Sequence, residues 1–123
     1  MKMFANLMVG LVALLHVGFM VLEMFFWDHD VGAKVFGLSR EVLHSSATLA
    51  ANQGLYNGIL AAGLAWALAT GKRDVKLFLL GCVVVAGIFG AFTAKLSILF
   101  TQALPAVVAL VLVLLSTPKA QAA

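Results

Sequence analysis

Charge is what this chain has least of. Only 11% of its 123 residues are charged, eight basic and five acidic, against about 25% in soluble globular domains. With 63% hydrophobic residues and a mean hydropathy of +1.09, too little polar surface exists to coat a globule in water, which excludes an ordinary soluble domain. The net charge is +3 and the pI near 9.4, but the basic residues are scattered along an apolar chain. No basic face forms for phosphates, and nucleic acid is excluded as a partner. A lone cysteine, Cys82, excludes an intrachain disulfide and reads as a small apolar filler. No phosphate loop, nucleophile elbow, CxxC or HExxH pattern occurs, so no pattern assigns a cofactor. Internal repeats and low-complexity tracts are also lacking.

What is present is a series of apolar runs near the roughly 20 residues that cross a bilayer core. The sequence predicts an all-α, four-transmembrane-helix bundle forming one integral membrane domain over residues 1–123, with spans of about 3–26, 47–70, 75–94 and 98–116. Ser45-Ser46 is suited to cap the second span, Gly71-Lys72-Arg73-Asp74 forms a basic turn, and Thr117 to Ala123 is expected to fray. The first span is too long for a signal-peptide core and ends in Glu23-Met24-Phe25-Phe26-Trp27 instead of small cleavage-site residues, so it is expected to stay as a helix. The one long connection, Trp27 to Ser46, reads either as a plain surface loop or as a short interfacial amphipathic segment built on Val35-Phe36, Leu38, Val42 and Leu43, with Trp27 at headgroup depth. Lys2, Lys72, Arg73, Lys76 and Lys119 fall on one side and Lys34, Arg40 and Lys95 on the other. The positive-inside rule then makes the protein multi-pass in the inner membrane with cytoplasmic termini.

Polar groups inside the spans are costly and therefore informative. His16 and Glu23 lie seven residues apart on one face of the first helix, about 10 Å apart along the axis. The second helix reads Asn52-Gln53-Gly54-Leu55-Tyr56-Asn57-Gly58, in which Asn52 and Tyr56, and Gln53 and Asn57, form two adjacent polar rows. Thr93 ends the third helix, and Gln102 opens the fourth ahead of Pro105. On the predicted topology these groups share one depth in the outer leaflet, with His16 as their floor, while the inner half is nearly all apolar. Small residues four apart, Gly54, Gly58 and Ala62 on the second helix and Ala86, Gly90 and Ala94 on the third, offer faces for close packing. Pro105 removes a helical hydrogen bond and is expected to free the carbonyl of Thr101.

Each feature has a plain reading beside the functional one. Asn52, Gln53, Tyr56, Asn57 and Gln102 either bind a ligand or only hold helices together, at about 0.6 kcal/mol per contact. Glu23 is either a carboxylate solvated at headgroup level or an acid, base or ligand. His16 is a hydrogen-bonded core histidine, a proton donor or acceptor, or a metal or haem ligand. No metal site is assigned, because one His and one Glu about 10 Å apart are not a ligand set. Asp28-His29-Asp30 has no further ligands at fixed spacing, and His44 reads as a loop residue.

His16, Glu23-Met24, Trp27, the Asn52–Gly58 run leading into Leu60-Ala61-Ala62-Gly63-Leu64, then Ala86-Gly87, Gly90, Thr93, Gln102 and Pro105-Ala106 together resemble a family of small bacterial and fungal membrane proteins known as domain of unknown function thirteen-oh-four. The resemblance covers essentially the whole chain and implies a four-span integral membrane protein, with no activity to carry over. Small multidrug-resistance transporters share the span count, but their acidic residue is mid-span, whereas Glu23 is near a helix end. The residues themselves favour a polar outer-leaflet cavity for a lipophilic small molecule entering from the membrane lipid. Glu23, His16 and Tyr56 are its acid/base candidates, and Asn52, Gln53, Asn57, Thr93, Gln102 and Trp27 its binding candidates. The alternatives are a proton-coupled transporter acting as a homodimer, and a structural membrane subunit whose polar belt is only glue.

Overall fold

The computed structural model describes residues 1–116. Lys119, counted above in the charge balance, and the expected fraying of the last residues lie outside them. Among the described residues there are five α-helices and no strand: α1 (Lys2–Phe25), α2 (Asp30–Phe36), α3 (Arg40–Thr70), α4 (Arg73–Thr93) and α5 (Leu104–Leu115), the last preceded by a π-helical turn over Leu99–Ala103. Of these, α1 and α4 are long and apolar enough to cross a membrane, and Leu99–Leu115 is a shorter apolar helix. The chain divides into two compact units, residues 1–12 with 64 onward, and residues 13–63. Both α1 and α3 run through both units.

Helix α3 begins seven residues earlier than the Ser45-Ser46 pair predicted. Its start is capped by Ser39, whose Oγ accepts the Val42 N–H at 3.4 Å and whose carbonyl accepts the Leu43 N–H at 3.0 Å. Ser45 and Ser46 turn their hydroxyls back to the Val42 carbonyl within the helix, a bond that serine makes in helix interiors as well as at caps. The long connection therefore shrinks to α2 and two short joints. His44 is accordingly a helical residue, not a loop residue, and Leu43 is fully buried. Gly37 closes α2 and Gly71 follows α3, at φ of 67° and 69°, the left-handed conformation that glycine adopts without a Cβ penalty.

Buried positions run down each helix at three- and four-residue spacing: Ala5, Val9, Val12 and His16 on α1; Ala50, Gly54, Asn57, Ala61 and Leu64 on α3; Lys76, Leu80, Val83, Gly87 and Ala91 on α4; Ala103, Ala106, Ala109 and Val113 on the π turn and α5. These rows are mostly Ala, Gly and Val, while bulky side chains such as Phe4, Leu14, Phe78, Phe89 and Phe92 are exposed. The helices thus pack through small residues and turn their large apolar groups outward, the reverse of a soluble core.

Helix α4, the predicted third span, corrects one expectation. Its buried small row is Gly87 and Ala91; Ala86 and Ala94 are exposed, and Gly90 is half-buried, where an added Cβ would lie 3.3 Å from Ile98 Cγ2. Ahead of Pro105 the chain inserts a π turn in which the Leu104 N–H bonds to the Leu99 carbonyl. This accommodates the proline, which has no N–H to donate, near the start of α5.

Two glycines serve as internal controls on this packing. A Cβ added at Gly18 or Gly81 meets nothing within 4 Å, so Gly18→Ala and Gly81→Ala are each expected to stabilise by up to about 1 kcal/mol through helix propensity alone. Thermal unfolding in detergent checks this, and a loss of stability at either site contradicts the open space around it.

Candidate functional site

Within residues 13–63, the second half of α1 meets α3 where α3 has no side chains to keep it away. A Cβ on Gly54 would lie 2.6 Å from Met24 Cγ and 3.1 Å from Glu23 Cβ, and one on Gly58 would lie 2.5 Å from Met20 Sδ. Gly54 and Gly58 of the predicted small-residue row thus lie at the contact, whereas Ala62, its third member, is exposed. The close approach brings Glu23 against Asn57, whose Nδ2 donates to Glu23 Oε2 at 2.6 Å. Asn57 is buried at 6% exposure, and Glu23 is half-buried. A carboxylate so placed has lone pairs left over, since one oxygen can accept more than one donor and the other is a separate acceptor.

Other predicted residues fall around this pair unequally. Counting about 100° per residue, Gln53 stands about 40° from Asn57 around α3, Tyr56 about 100° and Asn52 about 140°. All three are exposed, Tyr56 by 60%. Gln53 is therefore a rim neighbour of the pair, Tyr56 is farther round, and Asn52 is on the opposite side of the helix. His16 is buried at 1% exposure two turns before Glu23, its ring edge-on to Phe19 with centroids 5.4 Å apart. Thr93 and Gln102 belong to the other unit. The Thr93 hydroxyl donates to the Phe89 carbonyl of its own helix, and Gln102 is half-buried in the π turn.

Beyond Glu23 the chain is fastened by polar contacts. Trp27 Nε1 donates to Ser46 Oγ at 3.0 Å, and its ring lies 4.4 Å from that of Phe36 on α2. The indole N–H predicted to sit at headgroup depth is thus engaged with α3. Arg40 pairs with Asp30 and also donates to the Asp28 carbonyl, while His44 Nδ1 lies 2.7 Å from Asp28 Oδ2. The Asp28-His29-Asp30 triplet therefore ties the α1–α2 joint to the first turns of α3. Among the described residues, no group of three or more His, Cys, Asp or Glu gathers as a metal cluster would.

A second buried polar pair was missed. Lys76, at 5% exposure, donates from Nζ to Asn6 Oδ1 at 2.8 Å. Its position ends the row of Leu80, Val83, Gly87 and Ala91, so extending that row back one turn was the signal that could have found it. Asn6 is a polar residue inside an apolar run and was equally visible.

The match to known proteins covers most of the chain, including the Glu23–Asn57 pair, while Asn6 precedes the segment that the family matches. The family described as "Protein of unknown function (DUF1304)" matches residues 10–114. An uncharacterized protein, YpaA, of Lactococcus lactis subsp. lactis (strain IL1403) is 32% identical over 105 residues, covering 82% of this chain and 88% of that one. No solved structure matches at a significant level. Glu23, Asn57, Gly54 and Gly58 all fall inside the matched segment, and the chain belongs to the DUF1304 family.

Proposed function

We propose that this protein is a four-span integral membrane protein whose α1–α3 contact holds the polar head of a lipophilic small molecule. The spans would be α1, α3, α4 and the Leu99–Leu115 segment, with the N-terminus cytoplasmic. The outward-facing Phe and Leu side chains support a lipid environment, and the length of α3 suits a crossing helix that extends beyond the hydrocarbon. The observation that carries the binding reading is the Asn57–Glu23 hydrogen bond within the glycine-lined contact. Glu23 lies in the last turn of α1, and a half-buried carboxylate there that is held by a second helix is a candidate functional group. Glu23 would accept a hydroxyl or amine of the ligand, Asn57 would fix the carboxylate, Gln53 would line the rim, and His16 would stand below as a second proton-handling group. General acid/base chemistry on the ligand needs no further groups than Glu23 and His16.

The test is what stays bound. The wild-type protein purified in mild detergent is expected to retain a specific polar-headed lipophile, identified by mass spectrometry of the extract. Glu23→Gln keeps an acceptor for Asn57 and should leave thermal stability within about 1 kcal/mol while lowering ligand occupancy about tenfold. Asn57→Leu should reduce both. If occupancy falls only in step with stability, the pair is glue and the binding reading fails. Flux in liposomes that depends on a proton gradient and is lost in Glu23→Gln would instead favour transport.

A further inference from the structure

Among the described residues, the unit formed by residues 1–12 and 64 onward carries Lys2, Lys72, Arg73, Lys76 and Lys95 against one acidic residue, the exposed Asp74, which takes part in neither ion pair. Lys76 is nine-tenths buried, and the acceptor its ammonium has is the neutral amide of Asn6. An ammonium carries three donors, so two are left over by that bond. Lys2 lies four residues before Asn6 on α1, on the same face of that helix, and Lys72 lies four residues before Lys76. Lys72 lies with Nζ 5.0 Å from the centroid of the half-exposed Trp66 ring. Arg73 beside it is occupied, donating to the Val113 and Leu114 carbonyls at the end of α5. Among the described residues the close pairs with a carboxylate are Arg40–Asp30 and the His44 ring with Asp28, and none of Lys2, Lys72 and Lys76 has a carboxylate partner.

A buried charge held by one neutral amide is poorly compensated, and an approaching anion gains from every cation in the group. A tryptophan and lysine together mark headgroup depth on a membrane-crossing chain. Basic pockets between helices on the cytoplasmic side suit anionic headgroups. We propose that Lys2, Lys72 and Lys76, with Asn6 and Trp66, form a binding site for the phosphate of an anionic phospholipid. Lys2 and Lys72 supply exposed donors, Lys76 supplies a fixed charge behind them, and Trp66 holds the depth. The inference rests on α1 and α4 crossing the membrane, but not on the Glu23 site.

The experiment uses the full chain, delipidated in neutral detergent. Phosphatidylglycerol, phosphatidylcholine, glycerophosphoglycerol and inorganic phosphate are added separately, with thermal shift and native mass spectrometry as readouts. Phosphatidylglycerol is expected to raise the unfolding temperature and remain bound, and phosphatidylcholine to do neither. Each lysine removed should weaken phosphatidylglycerol binding about fivefold. Lys76→Met tests the buried charge, and the surface double variant Lys2→Gln/Lys72→Gln tests the site should Lys76→Met fail to fold. Equal binding of the two phospholipids, or unchanged binding in the double variant, overturns the proposal. An equal response to inorganic phosphate overturns the lipid and leaves a simple anion site. Resistance of the wild-type chain to alkaline extraction from membranes separately tests the crossing of α1 and α4, so failure there is distinguishable from failure of the headgroup site.

Discussion

Gly87→Ala is expected to destabilise the protein by about 2 kcal/mol, although the same change at Gly81, six residues earlier on the same helix, is expected to stabilise it. Alanine is the better helix former by about 1 kcal/mol, so the unfavourable contact must first overcome that gain. The geometry says it does. A Cβ at Gly87 would lie 2.8 Å from the Ala103 backbone nitrogen, 2.9 Å from its Cβ and 3.0 Å from its Cα. None of those atoms ends a flexible side chain, so no rotamer change relieves the clash and α4 must move away from the π turn. By contrast, a Cβ at Gly58 meets the Met20 thioether, which can swing aside. Thermal or denaturant unfolding of Gly87→Ala and Gly81→Ala in one detergent decides the matter. Equal stability of the two variants would falsify the α4–Ala103 packing described above.

Asn6→Leu is expected to cost about 2–3 kcal/mol, more than Lys76→Met, and the double variant Asn6→Leu/Lys76→Met should recover most of the loss. The asymmetry follows from what each change leaves behind. Removing Asn6 leaves the ammonium of Lys76, a residue at 5% exposure, without the oxygen that accepts its proton at 2.8 Å. Removing a partner of a buried charged group costs the desolvation of that group, whereas removing both partners does not. Removing Lys76 instead leaves a neutral amide that is only partly buried, whose oxygen water can reach. The long lysine stem lets Nζ shift toward solvent and trims the penalty, which keeps the figure below that of a fully trapped charge. A double-mutant cycle in neutral detergent measures the coupling, and additive losses would show that Asn6 and Lys76 do not act as a pair.

Much of the candidate site was legible in the sequence. Glu23 and Asn57 stand out because charge and amide groups are rare in apolar runs, and Gly54 and Gly58 announce a close helix contact. What could not be read was which polar residue meets which. The Asn52–Tyr56 and Gln53–Asn57 rows look equivalent by spacing, yet Asn57 alone of the four is buried. The start of α3 was missed for a related reason. Ser39 and the Ser45-Ser46 pair are all competent caps, and local chemistry does not choose among them. The choice depends on residues 40–46 gaining partners as a helix, through Leu43 in the core, Trp27 on Ser46, and Arg40 and His44 on the α1–α2 joint.

By itself the sequence determined the helical class, the end points of α1 and α4 to within a few residues, and the scarcity of polar groups that makes each one conspicuous. It also determined that small residues would lie at helix contacts. The tertiary structure decided the rotation of each helix about its axis, and with it the burial of Gly87 over Ala86, of Asn57 over Tyr56, and of Lys76 on the core side of α4. The physical reason is that an apolar helix has no strongly preferred face when its surroundings are also apolar. Hydropathy then cannot set the rotation, and close packing of small groups with the pairing of the few polar ones sets it instead.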